Sequence, residues 1–404
     1  MALMPLNFFV QHDGRSSRQH ITCRYKCGDA CSKPVPNTSD NEYLGEVVKR
    51  VSRRAMLRTT GVTVLAVGAG SALAACATDS QPAASSTPSN PSAVPAETPP
   101  GMAFASVAPN SEDAVVIPEG YEQGVVISWG DPILPGAPAF DAKAQTAAAQ
   151  RQQFGFNNDF AALLPIAGQA NRFLLVTNHE YATPQFMFPG FDAKAPTREQ
   201  YEIEMASMGL SVVEVERAPQ GGLRPVMGSY NRRIMPDTPF TLVGPAAGTD
   251  FVKTAADPTG RTVAGTFANC AGGVTPWGTV LSGEENFNTY FGAPEGGPAP
   301  SPVVADQLKR YGVAVEPSEL LWETFDPRFD LAKSPNEVNR FGYVIEVNPW
   351  DPKSTPVKHS AMGRLKHEGA TIYVTDDGTV VSYTGDDERF DYMYKFVSSK
   401  KMVP

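Results

Sequence analysis

The segment ATIYVTDDGTVVSY spans residues 370–383 and contains the clearest fold signal in the sequence. It places two runs of β-branched and aromatic residues on either side of Asp376-Asp377-Gly378. An Asp-Gly pair between two such runs is typical of a tight β-hairpin, because Gly accepts the positive φ that the turn needs. The segment therefore predicts a pair of adjacent antiparallel strands.

Short apolar runs of the same kind recur along the chain, and turn-forming residues separate them. Helical periodicity is confined to residues 141–152 and 197–208. Many short strands with polar or Gly-rich corners predict an all-β fold with short helical insertions, built as a sandwich, a barrel or a propeller. Antiparallel hairpins favour the β-propeller, although no repeat of about 40 residues is visible. The other predicted strands are 124–128, 173–177, 210–215, 278–282 and 343–347.

The composition excludes some classes of function and some kinds of metal site. The 404 residues include 34 basic and 43 acidic side chains, for a net charge of −9. This balance argues against nucleic acid as a partner, because binding to phosphates requires a surplus of cations. Only five histidines are present, and two of them, His12 and His20, precede the predicted domain. Any metal ion is therefore expected to be held mainly by oxygen ligands.

Residues 1–76 are typical of an export signal. Arg53 and Arg54 form a twin-arginine motif, and an apolar run rich in Gly and Ala follows over residues 59–75. The run ends in Leu-Ala-Ala before Cys76, which resembles a lipobox. We expect the twin-arginine translocase to export the protein and Cys76 to anchor it to a membrane through lipid, as a periplasmic, extracellular or cell-surface lipoprotein. The alternative is an ordinary cleavage site at which Cys76 is only a small residue.

The other four cysteines and the linker after Cys76 are consistent with this export signal. Cys23, Cys27 and Cys31 lie in the segment that export removes, so a metal role for them is disfavoured. Cys270 is then the one thiol left to act. Residues 77–104 are rich in Ser, Pro and Ala, and they predict a tether that holds the domain of residues 105–404 away from a membrane.

Carboxylates and amides concentrate at strand ends in four places, where a sheet can direct them toward one point. Adjacent acids such as Glu284 and Glu285 repel each other unless cations compensate, and their oxygens suit calcium. Cys270 adds a soft ligand that suits iron. Each pattern has a plainer interpretation, because paired acids often mark a solvated edge and Cys270 could be a core residue. His179 and His367 could be general acids or packed side chains. The four clusters are 154–160, 178–181, 269–286 and 367–387.

Several long motifs in one order resemble the PhoX family of secreted alkaline phosphatases. The likeness extends over about residues 105–400 and is stronger than any single motif. The motifs are GFNNDF (155–160), NHEY (178–181), NCAGGVTPWG (269–278) with EEN (284–286), HEGA (367–370) and SYTGDDERFDYMYKFVS (382–398).

The resemblance implies a propeller-shaped hydrolase of phosphate monoesters that uses Ca²⁺ and Fe³⁺. It implies that Cys270 is an iron ligand and that Glu285 and Glu368 are metal-bridging carboxylates with a catalytic role. The further ligands that it suggests are Glu284, Glu180 and Asp159.

The family pattern continues beyond residue 404, so we expect this propeller to be incomplete. The predicted activity is metal-assisted hydrolysis of small phosphate esters outside the cytoplasm, in which a cation-activated water or oxo group attacks the ester. Two alternatives remain open. One is another calcium-dependent propeller hydrolase of the phytase or lactonase type, and the other is a non-catalytic lipoprotein that only binds ligands.

Overall fold

The structure is a computed structural model that describes residues 11–12, 15–16, 104–294 and 301–402. The chain separates into two compact units, residues 1–123 and residues 124–404. In the first unit, strands β1 (Gln11–His12) and β2 (Arg15–Ser16) pair antiparallel. The predictions for Arg53, Arg54, Cys76 and almost the whole tether lie outside the described residues.

The second unit is built from short strands, as the sequence predicts, so the all-β class is confirmed. The described strands are β3 (Asn158–Pro165), β4 (Arg172–His179), β5 (Gly209–Arg217), β6 (Leu223–Val226), β7 (Arg232–Ile234), β8 (Pro239–Val243), β9 (Thr262–Ala264), β10 (Asn269–Val274), β11 (Val280–Glu284), β12 (Val344–Val347), β13 (Val357–His359), β14 (Thr371–Val374), β15 (Thr379–Gly385) and β16 (Met393–Lys401).

These strands form three sheets. The first runs β3-β4-β5-β6, with β7 also pairing β5. The second runs β10-β11-β12-β13-β8-β9, in which β13 and β8 are parallel and the other neighbours are antiparallel. The third is the antiparallel sheet β14-β15-β16. Strand β10 is the edge of the second sheet and packs against β3 and β4 of the first sheet and β14 of the third.

The hairpin of residues 370–383 forms as predicted. Val374 faces Val380 across β14 and β15, and Gly378 takes a φ of 83° at the turn. The Asp377 carboxylate accepts hydrogen bonds from the side chains of Thr375 and Thr379, which fixes the turn from both sides. The sequence pattern is sufficient to predict this hairpin, because both strands and the turn between them lie within one short segment.

Close contact between the sheets depends on glycines. A Cβ at Gly272 or Gly283 would clash with a backbone carbonyl, that of Leu281 or His367 respectively. A Cβ at Gly273 would likewise clash with the carbonyl of Ala370. These positions allow the backbones of β10, β11 and the segment before β14 to approach one another, and the predicted site residues lie on these segments.

The main core is aromatic. Phe267 stacks on Phe341 with ring centroids 4.2 Å apart, and Trp322 lies 5.1 Å from Phe329. All four side chains are 0% exposed. Aromatic side chains bury large areas, so this cluster is the main hydrophobic anchor of the second sheet.

Helices are short and few. The described helices are α1 (Ala147–Gln150), α2 (Pro184–Met187), α3 (Arg198–Ser207) and α4 (Pro302–Arg310), with single 3-10 turns elsewhere. The prediction for residues 197–208 is confirmed, because Thr197 and Gln200 form a capping box at the start of α3. Residues 141–152 are helical only over α1. The strand predicted at 124–128 is wrong, because these residues have no partner strand. Among the described residues, no helix has the length and apolar character needed to cross a membrane.

Candidate metal centre

Asp159, Glu180 and Cys270 come together although they are far apart in sequence. Their ligand atoms all lie within 4.8 Å of one another. The Cys270 thiol donates a hydrogen bond to Asp159 Oδ2 at 3.3 Å. Cys270 is 8% exposed, whereas Asp159 is exposed to solvent. The group therefore combines a buried thiol with a carboxylate that is exposed to solvent.

Two β-bulges direct these side chains. The β3–β4 register shifts between Asn158 and Ala161, at Asp159, and the β10–β11 register shifts between Asn269 and Gly272, at Cys270. A bulge inserts an unpaired residue and turns its side chain, and bulges are common beside active sites.

A left-handed residue precedes each bulge. Asn157 has φ 52° and Ala268 has φ 55°. Positive φ is strained for residues with a Cβ, for Ala more than for Asn, and such strain clusters at functional sites. The sequence gives no signal for Ala268, because its conformation depends on contacts with distant segments.

Glu180 follows the last residue of β4 and completes the group. Its backbone N–H donates to the carbonyl of Asn157 at 3.0 Å, so the end of β4 that carries Glu180 is bonded to the start of β3 that carries Asp159. Buried Asn178 donates its side-chain N–H groups to the backbone carbonyl of Cys270 and to Ser282 Oγ. These bonds join β4 to β10 and β11 directly beneath the cluster.

Glu285 adds a second carboxylate to Cys270. Its backbone N–H donates to the Ala268 carbonyl at 2.8 Å, and its side chain is hydrogen-bonded to the Cys270 thiol and to Asp387. Burial, and next the hydrogen bond with Asp387, raise the pKa of the Glu285 carboxyl to about 8. Burial, and next Glu285, also raise the pKa of the Cys270 thiol well above its ordinary range. Crowded acids of this kind are stabilised by a cation.

Asp387 is the cluster member that the sequence reasoning did not select. It follows Gly385-Asp386 at the end of β15, and its backbone N–H donates to the Lys366 carbonyl at 3.1 Å. Lys366 Nζ holds the next residue, Glu388, at 2.7 Å. The acidic run after β15 is visible in the sequence, but the sequence alone does not tell which of its acids contacts Glu285.

Glu368 lies beside this loop and is exposed. Its backbone N–H donates to the Gly385 carbonyl at 3.3 Å, and its Oε2 atom lies 3.7 Å from the point where a Cβ on Gly385 would be. Glu368 is thus on the segment that borders Asp387. Its role as a bridging ligand stays a prediction.

Glu284 points away from the cluster. It is fully buried, and its carboxylate accepts hydrogen bonds from Lys358 Nζ at 2.6 Å and Thr266 Oγ1 at 2.8 Å. The backbone N–H groups of Gly342 and Tyr343 also donate to it, at 3.1 and 3.2 Å. Neighbouring residues in a strand face opposite sides, so Glu285 reaches Cys270 and Glu284 does not. The structure does not bring Glu284 into the metal-ligand group.

His179 and His367 are packed side chains. His179 Nε2 lies 2.7 Å from Ser211 Oγ, and burial lowers the pKa of His179 well below its ordinary range. His367 is hydrogen-bonded to Thr384 Oγ1 at 2.9 Å and to the Gly363 carbonyl, and burial lowers its pKa to about 4. Both rings are therefore neutral at pH 7 and hold the sheets together.

The donor set fits hard cations together with one softer ion. The carboxylates of Asp159, Glu180 and Glu285 lie around one thiol, and Asp387 contacts Glu285. Oxygen ligands of this kind suit calcium. A thiolate suits iron and other transition metals. Burial, and next the hydrogen bond with Asp387, disfavour the charged form of Glu285, and a bound cation would offset this cost.

Comparisons with known proteins identify the family of this chain. The family model described as "Alkaline phosphatase PhoX" matches residues 102–404. The chain belongs to the PhoX alkaline phosphatase family. The resemblance drawn from the sequence motifs is thereby confirmed.

One solved structure is a relative of this PhoX-family chain. It is described as Pseudomonas fluorescens PhoX in complex with vanadate, a transition state analogue, and it is 46% identical with a TM-score of 0.70. The match covers 74% of this chain and 51% of that chain, so this chain spans about half the length of that structure. The comparison with curated proteins returned no match.

We expect cation binding to this centre to strengthen as the pH rises. A cation must displace the proton that the Glu285 carboxyl holds below its pKa of about 8. The apparent calcium affinity should therefore increase from about pH 6 to about pH 8 and level off above it, with proton release on binding. Calorimetric titrations in buffers of different ionisation enthalpy measure both quantities. An affinity that does not change over this range would contradict the assignment.

The same pKa has a consequence for the cation-free protein. Between the ordinary carboxyl value of 4.5 and about 8, the folded state binds a proton at Glu285 that the unfolded chain does not. The contribution of this group to stability is therefore lost as the pH rises through that window.

Proposed function

We propose that this chain carries the metal centre of a hydrolase of phosphate monoesters. The grouping of Asp159, Glu180 and Glu285 around Cys270, with Asp387 beside Glu285, is the observation that supports this most directly. Bound cations at such a centre neutralise phosphate oxygens, lower the pKa of water and stabilise the leaving alkoxide. The family match and the vanadate complex of the relative support the same chemistry.

The exposure of each residue indicates the role that it would have in this centre. Cys270 is buried and would hold a softer ion at the base, after losing its thiol proton. Asp159 is exposed and would hold a cation where an ester can approach from solvent. Glu285 lies between Cys270 and Asp387 and would release its proton when a cation binds. Asn178 keeps the strands beneath in place.

We also propose that the three sheets are parts of a β-propeller. Each sheet is a small, mainly antiparallel unit, and strand β10 packs against the other two sheets. The centre lies where strand ends from different sheets meet, which is the usual position of a propeller site near its central channel.

The ligand types support calcium and iron as the ions of this centre. We expect the purified protein to contain iron and calcium and no stoichiometric zinc. The three histidines of the described domain give little for zinc, because His179 and His367 are packed in place and His359 is bonded to Glu346 at 2.7 Å. Elemental analysis of the protein by mass spectrometry tests this. Zinc alone would overturn the assignment.

A phosphatase assay tests the function. The chain should hydrolyse a chromogenic phosphate monoester, and chelation of calcium should abolish the activity until calcium is restored. Parallel assays with a lactone and with phytate test the alternative of another calcium-dependent hydrolase. Tight calcium binding with no hydrolysis of any of these would favour the ligand-binding lipoprotein.

We further propose that the protein works outside the cytoplasm, with residues 1–76 as export signal and residues 77–104 as tether to the phosphatase domain of residues 105–404. Replacing Arg53 and Arg54 by Lys should leave the precursor in the cytoplasm, because the translocase recognises the arginine pair. Cell fractionation with immunoblotting measures this. Cys76→Ala should release the protein from the membrane fraction. Unchanged export of the double Lys variant would contradict the signal assignment.

A further inference from the structure

A cavity lies between helix α4 and two 3-10 turns, Asp250–Val252 and Glu337–Arg340. It has two adjoining lobes of about 160 and 490 Å³. Pockets for small ligands usually measure about 300–1,000 Å³, so a small organic molecule would fit. No residue that lines the cavity belongs to the cluster around Cys270. The two lobes share the side chains of Phe251, Gln307, Tyr311, Asn339 and Arg364.

Helix α4 forms one wall because its apolar residues recur at helical spacing. Val304, Leu308 and Tyr311 are at positions i, i+4 and i+7, which places them on one face of the helix. Leu308 is buried, and the other two pack against the main core. Gln307 lies beside Leu308 and lines both lobes. This wall is therefore apolar, with one amide side chain on it.

The two 3-10 turns form the opposite wall, and hydrogen bonds hold them together. Asn339 Nδ2 donates to the carbonyl of Phe251 at 3.0 Å. The buried guanidinium of Arg340 donates to the carbonyl of Val252 at 2.7 Å. The wall is thus formed before any ligand arrives, which lowers the entropic cost of binding.

Arg364 is the one charged side chain that lines the cavity in the described part of the chain. Its Cζ atom lies 3.9 Å from the ring centroid of Tyr311 and 4.9 Å from that of Phe287. Its Nε and Nη2 atoms donate to the backbone carbonyls of Phe341 at 2.9 Å and Val338 at 2.8 Å. These contacts fix the guanidinium in place, but rings and carbonyls are neutral and leave its positive charge without a counter-charge.

The charge of Arg364 is not balanced by an acid. Among the described residues, no carboxylate forms an ion pair with it, and Glu284, which acts on it from a greater distance, is bonded to Lys358 at 2.6 Å. Burial lowers the pKa of Arg364 below its ordinary value, because the guanidinium is largely removed from water. A charge in such a place is costly unless it is paired, so the cavity favours an anionic ligand.

We propose that this cavity binds a small organic carboxylate, with the carboxylate paired to Arg364 and the apolar part against Phe251 and Tyr311. A guanidinium presents its donors in a planar fork that matches a carboxylate. Its hydrogen bonds to the two carbonyls use only part of the fork, so N–H groups remain for a ligand. The proposal goes beyond the phosphatase chemistry and does not depend on it.

The walls distinguish a carboxylate from inorganic phosphate. The larger lobe is lined mainly by apolar side chains, which include Pro245, Ala246 and Val252. One guanidinium can neutralise one negative charge, whereas a phosphate dianion would leave a second charge beside these apolar groups. A carboxylate attached to a ring or a short chain matches both the single charge and the apolar space.

Calorimetric titration of the full chain with cinnamate tests the proposal, and cinnamamide is the neutral analogue of nearly the same shape. Cinnamate should bind about 10–100-fold more tightly than cinnamamide, the usual effect of hydrogen bonds to a charged group. Inorganic phosphate should not displace cinnamate. Equal affinities for the two analogues, or no binding of cinnamate, would overturn the proposal. Displacement by phosphate would overturn it in favour of a site for inorganic anions.

Two substitutions locate the site. Arg364→Gln should reduce the affinity for cinnamate to that for cinnamamide. Phe251→Asp should weaken cinnamate binding at least as much, because it removes an apolar wall and adds a negative charge to the cavity. Phe251 is 65% exposed, so this substitution opens no core cavity, and Phe186→Asp, at a phenylalanine that is 82% exposed elsewhere, is the matched control that should retain binding.

Thermal unfolding checks the fold of each variant. If Arg364→Gln does not fold, the comparison of Phe251→Asp with Phe186→Asp decides, because both substitutions change exposed side chains. Cinnamate affinity that is unchanged in Phe251→Asp, or equally reduced in Phe186→Asp, would show that cinnamate does not bind in this cavity. Since no step measures phosphatase activity or calcium binding, failure here is distinguishable from failure of the proposed function.

Discussion

Replacing Glu285 by Gln is expected to weaken calcium binding by this chain by at least roughly 10–100-fold, the loss seen when only an outer partner of a metal ligand is removed. Gln has nearly the same shape, so the substitution opens no cavity. It removes one anionic oxygen that sits between the Cys270 thiol and Asp387. Folding should be little affected, because the cation-free protein then no longer has to bury the Glu285 acid beside Asp387.

Isothermal titration with calcium measures the affinity of the Glu285→Gln variant, and thermal unfolding checks that the fold is intact. Glu202→Gln is the matched control, because Glu202 is an exposed helix residue whose nearest cation is Arg198 at 3.9 Å. Glu368→Gln belongs in the same series and should fall with Glu285→Gln if Glu368 bridges cations. Wild-type calcium affinity in the Glu285 variant would mean that this carboxylate is no ligand.

Sequence pattern predicted the strands well wherever the signal was local. The hairpin at residues 370–383 and strands β4, β5, β11 and β12 lie where the alternating apolar runs put them. The strand predicted at 124–128 is wrong because a run such as Val-Val-Ile indicates strand propensity but not whether a partner strand exists.

The site was harder to predict because its geometry is not local. The motifs predicted ligands at Asp159, Glu180, Cys270 and Glu285, and the structure brings these residues together. Strand alternation within the pair at 284–285 directs the first acid into the core and the second into the cluster. Asp387 contacts Glu285 from the loop after β15, and its backbone N–H is bonded to the Lys366 carbonyl of a distant segment. Neither feature is visible in composition or spacing.

Replacing Lys358 by Met is expected to cost about 3–5 kcal/mol of folding free energy, the usual result of breaking a buried ion pair from one side. Lys358 and Glu284 are both 0% exposed, and Lys358 Nζ lies 3.9 Å from the Phe341 ring centroid as well as 2.6 Å from the carboxylate. Burial lowers the pKa of Lys358 to about 8 and raises the pKa of Glu284. Burial therefore disfavours the charged form of each side chain, and each charge needs the other. Removing the cation leaves the buried carboxylate with neutral donors only.

The double variant Lys358→Met with Glu284→Gln separates a structural role of Glu284 from a metal role. Gln can still accept from the backbone N–H groups of residues 342 and 343 through its oxygen, and its amide N–H can donate to Thr266 Oγ1. The double variant should therefore recover a large part of the lost stability. Urea unfolding of the four proteins of this cycle measures the coupling. Lys253→Met is the control, because its pair with Asp250 is exposed and should contribute about 0–1 kcal/mol. If Glu284→Gln instead left stability unchanged and lowered calcium affinity as Glu285→Gln does, Glu284 would belong to the metal centre, and the buried pair with Lys358 would not be what holds it.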